Sequence, residues 1–258
     1  MTINSAMPPF SKYIQVLEEC ASKKNEKRFA AKQLLEIHKK VKSLSSPVVL
    51  ELGVDRGQST KVILNAMHEK KGSNLISVDI KDCSNVSNLK NWTFIQNDSC
   101  NIKQIIKSAP ILKNGIDLIY IDSLHTPSHV YKEIYGWFPF LKKDGFMLFD
   151  DVESGPYLQG QRKDSIDIET SNRKINQLIE AVFLSNLNVL DLSIIKGSTG
   201  LACIKKICSK DYKLKEPKYI RRRHNKFMWK LINLFFRKKE YKHVQKSNNS
   251  FLIDVTKY

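Results

Sequence analysis

The stretch 48-VVLELGVDRGQST-60 decides how the whole chain reads. An apolar run from Val48 to Leu52 stops at Gly53, Gly57 follows four residues later, and a helical stretch begins beyond it. That is a buried strand, a glycine turn and a helix start. Glycines at such a turn let backbone approach a ligand closely, and the helix N-terminus presents free N–H groups. The spacing is not GxGxxG and no GK[ST] follows, so neither a dinucleotide fingerprint nor a P-loop is supported.

Working outward, six more short apolar runs follow: 75-LISVD-79, 92-WTFIQ-96, 117-DLIYID-122, 145-GFMLFD-150, 189-VLDLSII-195 and 201-LACIKK-206. Amphipathic segments such as 58–70 and 128–141 separate the first five and are long enough for crossover helices. This alternation predicts an α/β fold, a doubly wound, mainly parallel, seven-stranded sheet. The last two runs, joined by 196-KGSTG-200, predict a terminal antiparallel hairpin. Upstream, 10–22 and 25–44 read as helices; in the second, Phe29, Leu34, Leu35, Ile37, Val41 and Leu44 form one apolar stripe, closed by SSP at 45–47. The expected organisation is an N-terminal helical extension (1–46), a central domain (47–208) and a C-terminal extension (209–258).

Charge divides along the same lines. Of the net +17, residues 1–46 carry +5, the central 47–206 only +1, and 207–258 carry +11. The basicity belongs to the ends. The segment 217–243 mixes Lys and Arg with Tyr219, Phe227, Trp229, Phe235 and Phe236 and reads as a basic amphipathic helix. Such a helix suits contact with an anionic membrane surface, or packing on the domain or a partner copy, which leaves homo-oligomerisation open. No run of about 18 apolar residues occurs, and the N-terminus lacks a secretory pattern. Five scattered cysteines, Cys20, Cys83, Cys100, Cys203 and Cys208, form no CxxC, as expected of reduced thiols in a cytoplasmic protein.

The pattern E-x-G-x-x-x-G at 51–57 resembles the first motif of class I S-adenosylmethionine (SAM) methyltransferases. Asp79, ending the second strand, stands where that family places an acid on the ribose hydroxyls. Asp98, in 94-FIQND-98, stands where the family contacts adenine. Taken singly, each acid also suits a helix cap or turn. The resemblance covers roughly 47–206 and implies SAM as cofactor, with Gly53 and Gly57 beside it and Glu51 near its amino-acid end.

In that fold the stretch 116-IDLIYIDSLHTPSHV-130 is strand four, whose carboxyl end lies next to the methyl donor. Asp122 leaves the strand there and His125 follows in the turn, while 145-GFMLFDDVESGPY-157 delivers Asp150 and Asp151 from the neighbouring strand. Three converging carboxylates repel one another unless a cation sits between them. Hard oxygen donors suit Mg2+, with Mn2+ as a substitute. D-x-x-H followed by D-D resembles the metal-dependent sugar O-methyltransferases of the macrocin, mycinose and rhamnosyl type. The resemblance implies Asp122, Asp150 and Asp151 as metal ligands and His125 as the base. Catechol-type relatives place a lysine where His125 stands.

His125 alone would read as a surface or capping residue; beside Asp150 and Asp151 it reads as catalytic. His129 is a rival expected on the following helix, where Tyr131 and Trp137 should pack. Acceptor specificity is expected from the N-terminal helices and from 154-SGPYLQGQRKDSIDIETS-171, read as a long loop in which Arg162 and Lys163 could meet an anion. The predicted function is Mg2+-dependent methyl transfer from SAM to a hydroxyl of a saccharide or glycoconjugate, with the enzyme cytoplasmic and peripheral to the membrane's inner face. Two alternatives stand beside it: a nucleic-acid methyltransferase using the basic ends, and a non-catalytic scaffold. DSLH replaces the N/D-P-P-Y/F motif of the amino-methyltransferases, which argues against nucleic acid.

Overall fold

The structure is a computed structural model describing residues 7–23, 27–158, 165–210 and 212–218. Two helices, α1 (Ser11–Ser22) and α2 (Lys27–Ser43), precede β1 (Val48–Leu52), α3 (Gln58–Ala66), β2 (Asn74–Asp79) and β3 (Trp92–Gln96). Then come α4 (Ile102–Ser108), β4 (Ile116–Ile121), α5 (Pro127–Trp137) and β5 (Leu141–Asp150). The chain continues through α6 (Gly155–Leu158), α7 (Ile166–Ser185), β6 (Leu190–Ile195) and β7 (Leu201–Lys206).

The seven strands form one sheet in the order β3-β2-β1-β4-β5-β7-β6. β1 to β5 pair in parallel, and β7 runs antiparallel to both β5 and β6. Helices cover both faces, which is why β1 is buried at all five positions and reads as a continuous apolar run. Alternate residues feed two cores. Leu50, Leu52, Ile119, Ile121 and Phe149 pack with residues of α4, α5 and α7. Val49, Leu118, Tyr120 and Leu148 pack with α1, α2 and α3 through Ile14, Ile37, Val41 and Ile63. The N-terminal helices therefore complete one of the two cores. The predicted fold class is observed, with the hairpin where 196-KGSTG-200 places it.

Some predicted boundaries move. α3 ends at Ala66, where 70 was expected, α5 ends at Trp137 and β5 begins at Leu141. Within the expected loop at 154–171, residues 155–158 and 166–171 are helical. Ser165 caps α7, its Oγ accepting the Ile168 N–H at 3.3 Å, with Asp167 and Glu169 in the first turn, where they complement the helix dipole. Arg162 and Lys163 lie outside the described residues, as does the predicted basic helix from 219 onward. Before that point the chain is held against α5 and α7: Tyr135 Oη donates to Lys215 O at 2.6 Å, and Lys215 N–H to Asn186 Oδ1 at 2.9 Å. Trp137 is fully buried and donates from Nε1 to Ser99 O at 2.9 Å, the packing role expected of it. No described helix is long and apolar enough to cross a membrane.

Candidate active site

Parallel register brings the site together. Leu52 stands opposite Val78 on one side and Ile121 on the other, and Ile121 stands opposite Phe149. One residue further on, Gly53, Asp79, Asp122 and Asp150 leave the sheet along a single edge, at the point where strand order reverses between β1 and β4. Ligands of open α/β sheets bind at such a switch point. Gly53 has a φ of 98°, and its N–H donates to Val78 O at 2.9 Å. A Cβ there would lie 2.0 Å from the Asp122 carbonyl oxygen, so the turn closes against β4 only with glycine.

A cavity of about 550 Å3 opens at this edge, lined by Gly53, Asp79, Asp98, Asp122, His125 and His129 among others. Its size is that of a cofactor pocket. Asp79 accepts N–H groups of Val54 at 2.8 Å, Asp55 at 3.2 Å and Lys81 at 2.9 Å. Burial raises its pKa, but these backbone donors outweigh burial and hold the carboxyl below its ordinary value. It thereby ties the glycine turn to β2. Asp98 sits at the exposed rim, with Oδ1 accepting the Cys100 N–H at 2.8 Å. Ile80 and Leu124 also line the cavity yet are 71% and 59% exposed, an apolar surface that sequence reasoning missed. A large aliphatic residue directly after the strand-end Asp79 was the available signal for Ile80.

Glu51 and Gly57 are not among the residues lining this cavity. Glu51 is fully buried, accepting hydrogen bonds from Ser59 Oγ at 2.6 Å, Thr60 Oγ1 at 2.8 Å and Ser77 Oγ at 2.5 Å. Burial pushes its pKa up to about 7 against the pull of these hydroxyls. It knits β1, β2 and α3 together beneath the turn. Gly57 precedes α3 at a φ of 70°, where a Cβ would come 2.1 Å from Val86 Cγ1.

Past β4 and β5, His125 lies between two of the three predicted acids. Nε2 of the ring is 2.9 Å from Asp122 Oδ1, and Nδ1 is 2.8 Å from Asp151 Oδ2. Burial disfavours a charged ring, but these two carboxylates more than offset it and raise the pKa to about 10, which favours the protonated form. Tyr120 Oη donates to Asp150 Oδ2 at 2.7 Å and lies 3.2 Å from Asp122 Oδ2. Burial, then the charges of Asp122 and Asp151, push Asp150 up to about 7. Burial likewise raises Asp122.

The three carboxylates are bridged by His125 and Tyr120, and they are not gathered on one point. Among the described residues, three metal-ligating side chains with ligand atoms within 4.8 Å of one another are found at Asp98, Cys100 and His129. In donor chemistry three carboxylates suit a hard divalent cation: the charges of Asp122 and Asp151 raise Asp150, and Asp151 raises Asp122.

A second cavity, of about 200 Å3, is lined by two of these acids, Asp122 and Asp150. Gln33, Leu34 and Ile37 of α2, Arg56 of the glycine turn, and Ser198 and Thr199 of the hairpin turn line it, together with Tyr120, Asp122 and Asp150. Gln33 Nε2 donates to Gly197 O at 2.7 Å and ties α2 to the hairpin turn. Of the two N-terminal helices α2 lines this space, and the described part of 154–171 is not among its walls. Asp122 belongs to both cavities.

Residues 50–152 match the model of a family described as a methyltransferase domain. No match was found among curated proteins. Among solved structures, MycE methyltransferase from the mycinamycin biosynthetic pathway, in complex with Mg, SAH and mycinamycin VI, superposes at a TM-score of 0.53 and 18% identity. That match covers 80% of this chain and 56% of MycE, so the chain spans little more than half the length of this neighbour. A candidate caffeoyl-CoA O-methyltransferase from Staphylococcus aureus superposes at 0.54 and 15% identity, covering 79% of this chain and 93% of the other. An O-methyltransferase from Bacillus cereus in complex with SAH gives 0.50 and 13%, over 80% and 93%. Residues 50–152 thus match a methyltransferase domain model, and the chain shares the fold of these O-methyltransferase structures.

Proposed function

We propose that the chain is a SAM-dependent methyltransferase that acts on a hydroxyl of a saccharide or glycoconjugate and requires Mg2+. The observation that carries this reading is the pair of cavities meeting at Asp122, with His125 beside that shared wall. The larger cavity would take SAM, with the Gly53 backbone and Asp79 at its near wall and Asp98 at the rim. The smaller is about the size of one monosaccharide, and its Gln33, Arg56, Ser198 and Thr199 offer donors and acceptors of the kind a polyol needs. The complex of MycE with Mg, SAH and mycinamycin VI supports a small-molecule acceptor by likeness.

Methyl transfer from a sulfonium needs an aligned nucleophile more than an activated leaving group. Asp122, Asp150 and Asp151 would hold the Mg2+, which when bound lowers the pKa of an acceptor hydroxyl. His125 is the residue placed to take that proton. As described it is clamped between Asp122 and Asp151, which favour its protonated form, so it would act as a base only after those acids turn to another partner and its own proton leaves to solvent. α2 and the hairpin turn close the acceptor side and hold the hydroxyl toward Asp122. The basic segment 217–243 would keep the enzyme at an anionic membrane surface where lipid-linked acceptors lie.

The test is incubation of the full chain with methyl-labelled SAM and a panel of nucleotide sugars, glycolipids and RNA, with and without Mg2+. Label should pass to a saccharide and only in the presence of the metal. Transfer to RNA would sink the acceptor assignment, and undiminished transfer in excess chelator would sink the metal assignment.

A further inference from the structure

Asp98, Cys100 and His129 make a second group of ligating side chains, in which a carboxylate oxygen, a sulfur and a ring nitrogen all lie within 4.8 Å of one another. Cys100 Sγ stands 3.7 Å from Nδ1 and 3.6 Å from Nε2 of His129. A tetrahedral ion bonded to sulfur at about 2.3 Å and to nitrogen at about 2.0–2.1 Å would hold those two atoms about 3.6 Å apart. Thiol and imidazole are already at that separation.

The surroundings fit a ligating histidine. His129 Nε2 is 2.8 Å from Ser99 Oγ and 3.4 Å from Glu133 Oε1, which fixes the ring and leaves Nδ1 to face an ion. A metal-bound histidine commonly donates its other N–H to an oxygen in this way. Glu133 is fully buried; Oε1 accepts from Ser123 Oγ at 2.5 Å, while Oε2 has no hydrogen-bond partner. An uncompensated buried carboxylate oxygen is costly, and a neighbouring cation would offset it. Burial, with Glu133 and Asp98 adding to it, pushes the Cys100 thiol up to about 11, so without an ion the sulfur keeps its proton. A mixed sulfur, nitrogen and oxygen donor set suits a borderline-soft ion and not Mg2+.

We propose that Asp98, Cys100 and His129 bind a thiophilic divalent cation of the Zn2+ type, with Ser99 and Glu133 orienting the histidine. The sulfur–metal bond forms as the thiol proton leaves to solvent. Three protein ligands leave a fourth position for water or another donor. Asp98, Ser99 and His129 also line the larger cavity, so the ion weakens binding of that cavity's occupant by drawing Asp98 away. This linkage rests on reading the cavity as the cofactor's; the metal site does not.

The experiment is titration of the full-length, phosphine-reduced, chelator-stripped protein with Co2+ alone. One equivalent should produce a cobalt–thiolate charge-transfer band and tetrahedral d–d bands, both removed by Zn2+. Cys100→Ser should lack the charge-transfer band. Asp98→Asn alters an exposed side chain and keeps the fold; it should weaken Co2+ binding at least tenfold. Absence of a thiolate band, or its survival in Cys100→Ser, overturns the site. For the linkage, one equivalent of Zn2+ should weaken SAH binding severalfold in the parent protein and not in Cys100→Ser; an unmoved SAH affinity in the parent overturns it. Failure of methyl transfer to every acceptor would leave the cobalt spectrum untouched.

Discussion

Apart from His129 of α5, the larger cavity takes its walls from four strand ends: Gly53 to Asp55 after β1, Val78 to Lys81 at and after β2, Asn97 to Ser99 after β3, and Asp122 to His125 after β4. The smaller takes much of its lining from α2 and the 198–199 turn, which lie outside the parallel part of the sheet. Strand ends are positioned by backbone ladders, so the donor side is set by register and tolerates little change. A helix face and a hairpin turn are positioned by packing, and their side chains can vary without disturbing the sheet. The difference suits an enzyme with a constant donor and a particular acceptor.

His125→Ala should have the largest effect. Removing a general base typically costs about 10²–10⁴-fold in turnover, while SAH binding should stay nearly intact. A variant with unchanged kcat would remove His125 from the chemistry. Gly53→Ala probes the rigid side. It combines an unfavourable φ with a methyl group 2.0 Å from the Asp122 carbonyl, and strained positions of this kind cost about 1–3 kcal/mol. Thermal unfolding should shift downward and SAH binding should fail; a variant that melts like the parent and binds SAH would show the donor side to be more pliable than its contacts imply.

Gln33→Ala probes the other side. Losing its bond to Gly197 O should cost about 1 kcal/mol and raise the acceptor KM, with the SAH affinity unmoved. A weakened SAH affinity here would break the division between the two cavities. Deleting 219–258 should have the smallest effect on turnover with a soluble acceptor, yet weaken binding to anionic vesicles. If the parent protein never sediments with vesicles, the membrane role of 217–243 is lost.

Much of the sheet was legible because turn residues isolate each strand: 48–52, 92–96 and 201–206 match their predicted bounds. β5 starts early because Lys143 and Asp144 are exposed on its first half, and their polarity hides the strand. At the site, Gly53, Asp79, Asp98, Asp122 and His125 were legible as wall residues, each following a strand within a few positions. Glu51 was placed at the ligand because the motif puts it at the strand's end. Its actual partners are three hydroxyls on β2 and α3 that no local spacing reveals. Gln33, Ser198 and Thr199 carry no signal at all, since as isolated polar residues they differ from any solvated surface. The bridging of Asp122 and Asp151 by one imidazole was equally invisible, because it depends on the direction in which the turn after β4 carries His125.

Because Val54, Asp55 and Asp122 line both cavities, their occupants would be neighbours there. One molecule with an adenosine-like end and a sugar-like end, tethered across that boundary, could fill both at once. Joining two weak ligands in this way can raise affinity by about 10²–10⁴-fold without a new contact. That makes a bisubstrate compound a practical handle for capturing the enzyme while its natural acceptor is being sought.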